Sequence, residues 1–292
     1  MMHNLLPIFP GCLTTLNKRT QCFFGSFRLI GCVAKVSRLG EPYWSIKVAD
    51  ISGVREVLLF DEAPRWDTFI MNGVITMELS MRPQAGFIVA KKPELLRLSN
   101  AMMEPALFWK ALPVNWCLSE WVVERFLTML MGIQSEMLLA FITRVFWQSE
   151  VLQAFLSAPA SLNYHHNYQG GLLEHSVETA EIVASLPLCN EFDRDVLITA
   201  ALLHDIGKTK TLASNMRRSQ LGKLVDHDEM TLEVCSDALR WLDNEHADTA
   251  ILLRHIWTCS SPGARYGYKA ETYLAPALQL ADQMSSKMAR SA

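Results

Sequence analysis

The sequence has no CxxC pair: its seven cysteines, at positions 12, 22, 32, 117, 189, 235 and 259, are scattered along 292 residues. An odd, dispersed set builds neither a disulfide framework nor a thiolate zinc site, and it suits a reducing cytoplasm. Charge of one sign is lacking too. A formal net charge of −3 gives the whole molecule no attraction for a polyphosphate, so any hold on nucleic acid must come from a local basic patch. There is no long apolar run. A membrane span takes roughly 20 apolar residues, and the most apolar stretch, 121–156, is broken by Glu124, Arg125, Glu136, Arg144 and Glu150. The opening MMHNLLPIFPGCLTTLNKRT has no charged segment leading into an apolar core and cleavage site, so no signal peptide is expected. Internal repeats and low-complexity tracts are also missing. These absences leave a globular chain, expected in the cytoplasm and away from membranes.

What is present falls into two patterns. From about Cys22 to Leu96 the chain reads as strands: Phe24–Val36, Tyr43–Asp50, Val54–Phe60, Gly73–Met81 and a run from Gly86 to Pro93. The segments are rich in β-formers and are separated by turn signals such as Leu39-Gly-Glu-Pro42 and Ile51-Ser-Gly53. Five short strands in about 75 residues predict a small closed barrel, of which the OB-fold is the commonest type, with an SH3-like barrel as the alternative. From Pro105 the period becomes helical, as in Trp121, Val122, Phe126, Leu127 and Leu130. Further helices are predicted over 150–157, 171–186, 193–205, 226–244, 247–259 and 273–288. The expected organisation is an extension over 1–20, an OB-fold-like barrel over 21–100, a helical linker region over 101–158 and an all-α domain over 159–292.

The chemistry sits in the second pattern. His204 and Asp205 lie in Leu202-Leu-His-Asp-Ile-Gly-Lys208, His175 in Gly170-Gly-Leu-Leu-Glu-His175, and Asp282 in Leu278-Gln-Leu-Ala-Asp282. On the predicted helix, His204 and Asp205 point about 100° apart, so both can grip one ion at its edge, and Lys208 follows on the same face. Gly207 leaves room for the close approach of a ligand. A carboxylate within the apolar stripe around Asp282 is costly to bury unless a positive partner meets it, and a metal ion is one such partner. Alone, each residue reads as an ordinary core or cap residue. The ordered set predicts metal binding.

That set resembles the H…HD…D signature of the HD superfamily of metal-dependent phosphohydrolases. The stretch Phe155-Leu-Ser-Ala-Pro-Ala-Ser-Leu-Asn-Tyr-His-His-Asn-Tyr-Gln-Gly-Gly-Leu-Leu-Glu-His175 is similar to one found in YhaM-type 3′→5′ exoribonucleases, which carry an OB-fold before the HD domain. The resemblance extends from about residue 22 to 288 and includes Gly40-Glu-Pro-Tyr-Trp44. It implies His175, His204, Asp205 and Asp282 as metal ligands, with His227 matching a further histidine of the family. In two places the chain departs from the family. A His-His pair that follows the position of His255 is replaced by Cys259-Ser-Ser-Pro-Gly263, which bears on a second ion and leaves His255 as a candidate substitute. Ser285-Ser-Lys287 replaces an Asp-Ala-Lys.

The expected mechanism is attack on a phosphodiester by a metal-activated water. Asp205 would bridge ions or orient the water, Lys208 would neutralise the phosphate, and His165 and His166 would act on the phosphate or leaving group. The mixed ligands suit Mn²⁺, Fe²⁺ or Zn²⁺ without choosing among them; Mn²⁺ is the leading expectation, Mg²⁺ a further alternative, and one or two ions are expected. Lys210, Arg217, Arg218 and Lys223 form a basic stretch that can guide a nucleic-acid backbone. Phe23, Tyr43 and Trp44 can stack bases, although strand alternation sends Tyr43 and Trp44 to opposite faces. The leading expectation is a 3′→5′ exonuclease on single-stranded RNA or DNA, with a homo-oligomer open. The alternatives are a phosphohydrolase of small nucleotides, a relaxase-like DNA-transfer accessory protein, and a degenerate domain that binds without cleaving.

Overall fold

The computed structural model describes residues 11–16, 22–60, 71–82, 84–116, 118–187, 190–260, 265 and 267–288. Most of the expected 1–20 extension and part of the 259–263 departure lie outside this set. The chain forms two compact units, Met1–Trp116 and Cys117–Ala292.

The first unit is a closed five-stranded barrel of β1 (Cys22–Val36), β2 (Pro42–Asp50), β3 (Gly53–Leu59), β4 (Val74–Arg82) and β5 (Phe87–Leu95). Its order is β1-β2-β3-β5-β4, closed by β4 on β1, with every pairing antiparallel except β3–β5. This is the OB-fold arrangement, and it decides against the SH3-like alternative. The interior follows from a period of two: Phe27 and Leu29, Ile46 and Val48, Val57 and Leu59, Ile75, Met77 and Leu79, then Ile88 and Ala90 all point inward. Burying each large apolar side chain stabilises the barrel by about 1.5–3 kcal/mol relative to exposure. Irregularities in register at Leu29/Gly31 and Thr76/Glu78 supply the bending that closure demands. Two short helices, α1 (Leu98–Met103) and α2 (Pro105–Lys110), complete this unit. The 101–158 region expected to pack with the helical domain is therefore divided. Residues 101–116 go with the barrel, because Phe108 and Trp116 pack their rings on buried Arg28 of β1, 5.2 and 5.3 Å from its guanidinium.

The second unit is helical: α3 (Glu120–Met131), α4 (Glu136–Val145), α5 (Ser149–Ser157), α6 (Gly171–Ala184), α7 (Glu191–Leu203), α8 (Lys208–Thr211), α9 (His227–Val234), α10 (Ser236–Glu245), α11 (Ala247–Thr258) and α12 (Leu274–Met288). A two-residue ribbon, β6 (Leu212–Ala213) with β7 (Arg217–Arg218), interrupts it after α8. α6 lies at the centre, packed against α7, α12, α3 and α5. Asp195 of α7 is buried and accepts the backbone N–H groups of Gln134 and Ser135 at 2.8 Å each, fixing the α3–α4 turn. The helix predicted over 226–244 is two helices, broken at Cys235, where ψ is −3°. No helix among the described residues is long and apolar enough to cross a membrane.

Candidate metal centre

Three segments of the helical unit deliver donors to one point. α6 carries His175, the turn after α7 carries His204 and Asp205, and α12 carries Asp282. His175 Nε2 lies 3.2 Å from His204 Nε2, 3.1 Å from Asp282 Oδ1 and 3.4 Å from Asp205 Oδ2. His204 Nε2 lies 3.5 Å from Asp205 Oδ2 and 3.7 Å from Asp282 Oδ1. Donors bound about 2.1 Å from a common cation stand about 3.0–3.5 Å apart, so these separations fit a shared ion.

The chain reaches this arrangement through close backbone approaches at glycine. Gly170 adopts φ +81° to open α6, and a Cβ on Gly171 would lie 2.1 Å from the carbonyl oxygen of His166. The loop bearing His165 and His166 can therefore lie directly on the start of α6. Gly207 behaves likewise: a Cβ there would lie 2.0 Å from the His227 carbonyl oxygen. The room that Gly207 leaves is thus filled by α9 and not by a ligand. His204 and Asp205 also differ from expectation. They occupy a turn, not a helix, with Ile206 N–H bonded to Leu203 O and Lys208 N–H to Asp205 O. This tighter turn sends Asp205 inward, where it is buried.

The electrostatics of the group call for positive charge. His204 Nδ1 can only donate to its partner, the Ala201 carbonyl at 2.8 Å, which leaves Nε2 to face the other donors. Burial alone would lower the pKa of His204, but Asp205 and Asp282 outweigh it and raise the affinity for a proton. For His175 burial prevails and the pKa falls. Burial would raise Asp205, yet Lys208, His204, His227 and His175 hold it well below the usual carboxylate range. Asp282 is held low as well, burial being overcome by the His175 and His204 rings beside it. One extra proton on His204 is the least that such a cluster can take up; a divalent cation answers it more completely. The nitrogen and oxygen donor set therefore fits a metal ion.

The remaining sequence candidates divide. Lys208 is brought in, its Nζ donating to Asp205 Oδ2. His227 is brought in on the other side of the same carboxylate, 3.3 Å from Asp205 Oδ1, with Asp228 Oδ1 also 3.3 Å from its Nε2. Asp205 thus offers one oxygen to each of two donor groups, His175–His204–Asp205 and Asp205–His227–Asp228. His165 stands beside His175, ring centroids 5.1 Å apart, with Nε2 3.2 Å from Ser286 Oγ. Burial and the neighbouring His175 and Lys208 push its pKa down to about 4. His166 is turned behind His175 and is only 4% exposed, its Nε2 3.1 Å from Glu178 Oε2. His255 is not brought in: its Nε2 accepts the backbone N–H of Glu271 at 2.9 Å, because the last turn of α11 faces that segment.

Lys210, Arg217, Arg218 and Lys223 are exposed on α8, the ribbon and the turn after it, in the chain between Lys208 and His227. Gln169 Nε2 donates to Ser214 O at 2.8 Å and ties the ribbon tip to the loop that follows His166. In the barrel, strand alternation separates Tyr43 from Trp44 as expected. Trp44 and Phe23 pack on the interior. Tyr43 instead joins an outer aromatic row, 5.5 Å from the half-exposed ring of Phe60, which is 6.2 Å from Phe87. Phe60 and Phe87 were not singled out in the sequence, nor were Asp228 and Glu178, and Ser285 stood out only as a departure from the family pattern. Their signals were present but weak: Asp228 adjoins His227, Glu178 follows His175 by three, and Ser285 follows Asp282 by three.

Comparison with known proteins agrees with this geometry. Residues 172–286 match the family model of the HD domain, so the helical unit contains an HD domain. The relatives found include the 3′-5′ exoribonuclease YhaM of Shouchella clausii, 31% identical over 107 residues, covering 36% of this chain and 33% of that protein. YhaM of Oceanobacillus iheyensis is 26% identical over 262 residues, covering 85% and 79% of the two chains. The dihydroneopterin 2′,3′-cyclic phosphate phosphodiesterase of Methanocaldococcus jannaschii is 44% identical over 57 residues, covering 18% and 23%. The match thus spans a third or less of the first and last of these proteins, and most of the second.

Proposed function

We propose that this chain is a metal-dependent phosphodiesterase that shortens single-stranded nucleic acid from its 3′ end. The observation that carries the reading is the convergence of His175, His204, Asp205 and Asp282: His175 Nε2 lies 3.1–3.4 Å from a donor atom of each of the other three, and His204 Nε2 lies 3.5 and 3.7 Å from the two carboxylates. These four residues would hold a divalent cation, with Mn²⁺ the first to try and Fe²⁺, Zn²⁺ and Mg²⁺ as alternatives that the same mixed donors accept. A cation bound there supplies a water of lowered pKa and polarises a phosphoryl oxygen. Asp205 Oδ1, His227 and Asp228 make up the group that would take a second ion. Lys208 offsets negative charge developing on the phosphate oxygens, and neutral His165 positions the phosphate by hydrogen bonding. His166, buried against Glu178, supports this loop from behind.

The nucleic-acid part of the proposal draws support from three features. The O. iheyensis YhaM match runs through both units. Tyr43, Phe60 and Phe87 offer a row of faces on which bases can stack, and Lys210, Arg217, Arg218 and Lys223 can follow a phosphate backbone. An oligonucleotide labelled at its 5′ end tests the proposal. With Mn²⁺ we expect a ladder of single-nucleotide steps from the 3′ end; intact oligonucleotide with each of the four metals would overturn it. The M. jannaschii relative favours a second reading, hydrolysis of a small cyclic phosphodiester. Turnover of nucleoside 2′,3′-cyclic phosphate with the oligonucleotide left intact would select that reading. Oligonucleotide binding without cleavage of either substrate would select the accessory or degenerate forms.

A further inference from the structure

Behind the donor group lies a chain of hydrogen bonds whose direction can be worked out. Ser285, fully buried on α12, has its Oγ 3.0 Å from His175 Nδ1 and 2.8 Å from Glu178 Oε2. A hydroxyl has one proton, and an ionised carboxylate has none to give. The Ser285 proton therefore lies toward Glu178, whose same oxygen also meets His166 Nε2 at 3.1 Å. Toward His175 the hydroxyl then shows only lone pairs, so His175 must carry its proton on Nδ1. A neutral imidazole protonated there has its free lone pair on Nε2, the atom that faces His204, Asp205 and Asp282. The reverse polarity, with Ser285 donating to Nδ1, would leave two oxygens 2.8 Å apart with no proton between them.

We infer that Ser285 and Glu178 act as a two-residue relay that fixes His175 in its Nδ1–H tautomer and so holds Nε2 ready for a metal ion. The inference rests on the metal-centre reading above. Both are positioning residues, acting through His175 and touching neither the ion nor the substrate. For the full chain, the test is in two parts. Long-range ¹H–¹⁵N correlation on the metal-free protein reads the tautomer of His175, and titration with Mn²⁺ alone reads its consequence. The wild type should show a single Nδ1–H pattern. Ser285→Ala should mix the tautomers and weaken Mn²⁺ binding by about 10- to 100-fold, the range typical of partners that orient a ligating histidine. Glu178→Gln frees the Ser285 hydroxyl to turn its proton toward Nδ1 and should move both readouts in the same direction. The double variant Ser285→Asp with Glu178→Gln should regain most of the affinity, since a carboxylate at 285 accepts from Nδ1–H directly.

Wild-type tautomer and wild-type Mn²⁺ affinity in both Ser285→Ala and Glu178→Gln, in proteins that melt as the wild type does, would overturn the relay. Failure of the metal reading looks different. In that case the wild type would bind no Mn²⁺ while the tautomer of His175 still answered to Ser285→Ala.

Discussion

In the barrel, two buried charges are answered by neutral groups. Asp50 accepts the backbone N–H groups of Leu13, Ser52 and Gly53 and the Ser52 hydroxyl, at 2.6–3.1 Å, although burial still raises its pKa. Arg28 donates to the carbonyls of Ala111 and Asn72 and lies between the Phe108 and Trp116 rings, its pKa lowered by burial to about 10. In the helical unit Lys208 answers Asp205, while His175, His204 and Asp282 are left facing one another, and the outer atoms of the two rings are already committed: His204 Nδ1 to Ala201 O, His175 Nδ1 to Ser285. Apart from Arg28 Nη2, which is buried without a hydrogen-bond partner among the described residues, the barrel answers these two charges with its own backbone, one hydroxyl and two rings. The helical unit leaves its centre short of positive charge, and such a shortfall marks a site built for something from outside.

The comparison can be broken at either end. The largest effect is expected from Asp205→Asn, which keeps shape but removes the charge shared by both donor groups. Hydrolysis of a phosphodiester should fall by about 10³-fold or more, with melting of the metal-free protein unchanged or raised. A large drop in melting temperature would mean that Asp205 is structural, as Asp50 is. Arg28→Ala should do the opposite. Two carbonyls lose their donor and two rings their contact, so thermal or urea unfolding should show a loss of about 2–4 kcal/mol while Mn²⁺ affinity stays as in the wild type. Altered metal affinity would contradict the separation drawn here. The smallest effect is expected from Tyr43→Ala, which removes one stacking face and leaves the interior intact. At about 1–3 kcal/mol per stacked base, the KM for an oligonucleotide should rise roughly 5- to 150-fold, with hydrolysis of a short model phosphodiester unaltered. An equal loss in Trp44→Phe but none in Tyr43→Ala would put the binding face elsewhere.

The strands and most helices were legible because their signals are local. Richness in β-formers and the turn signals between segments placed all five strands, and a period of 3.6 placed α3–α7, α11 and α12. The short elements were not: α1, α2 and α8 hold only six, six and four residues, too few for periodicity to accumulate. The break at Cys235 was missed because no glycine or proline marks it. His255 was misassigned because a histidine on a helix does not reveal which neighbour it will face, and here it faces the Glu271 backbone. Gly207 was read as space for a ligand when the space belongs to α9.

The sequence by itself determined the barrel-then-helix order and pointed to the four residues proposed as donors, because residue type and order along the chain suffice to suggest them. Tertiary structure alone decided which face of each helix met which neighbour. It gave Asp205 an oxygen for each donor group, excluded His255, recruited Asp228, and set Ser285 and Glu178 behind His175. Those outcomes depend on distances of about 3 Å between residues up to 110 positions apart, and only the packed fold fixes separations of that kind.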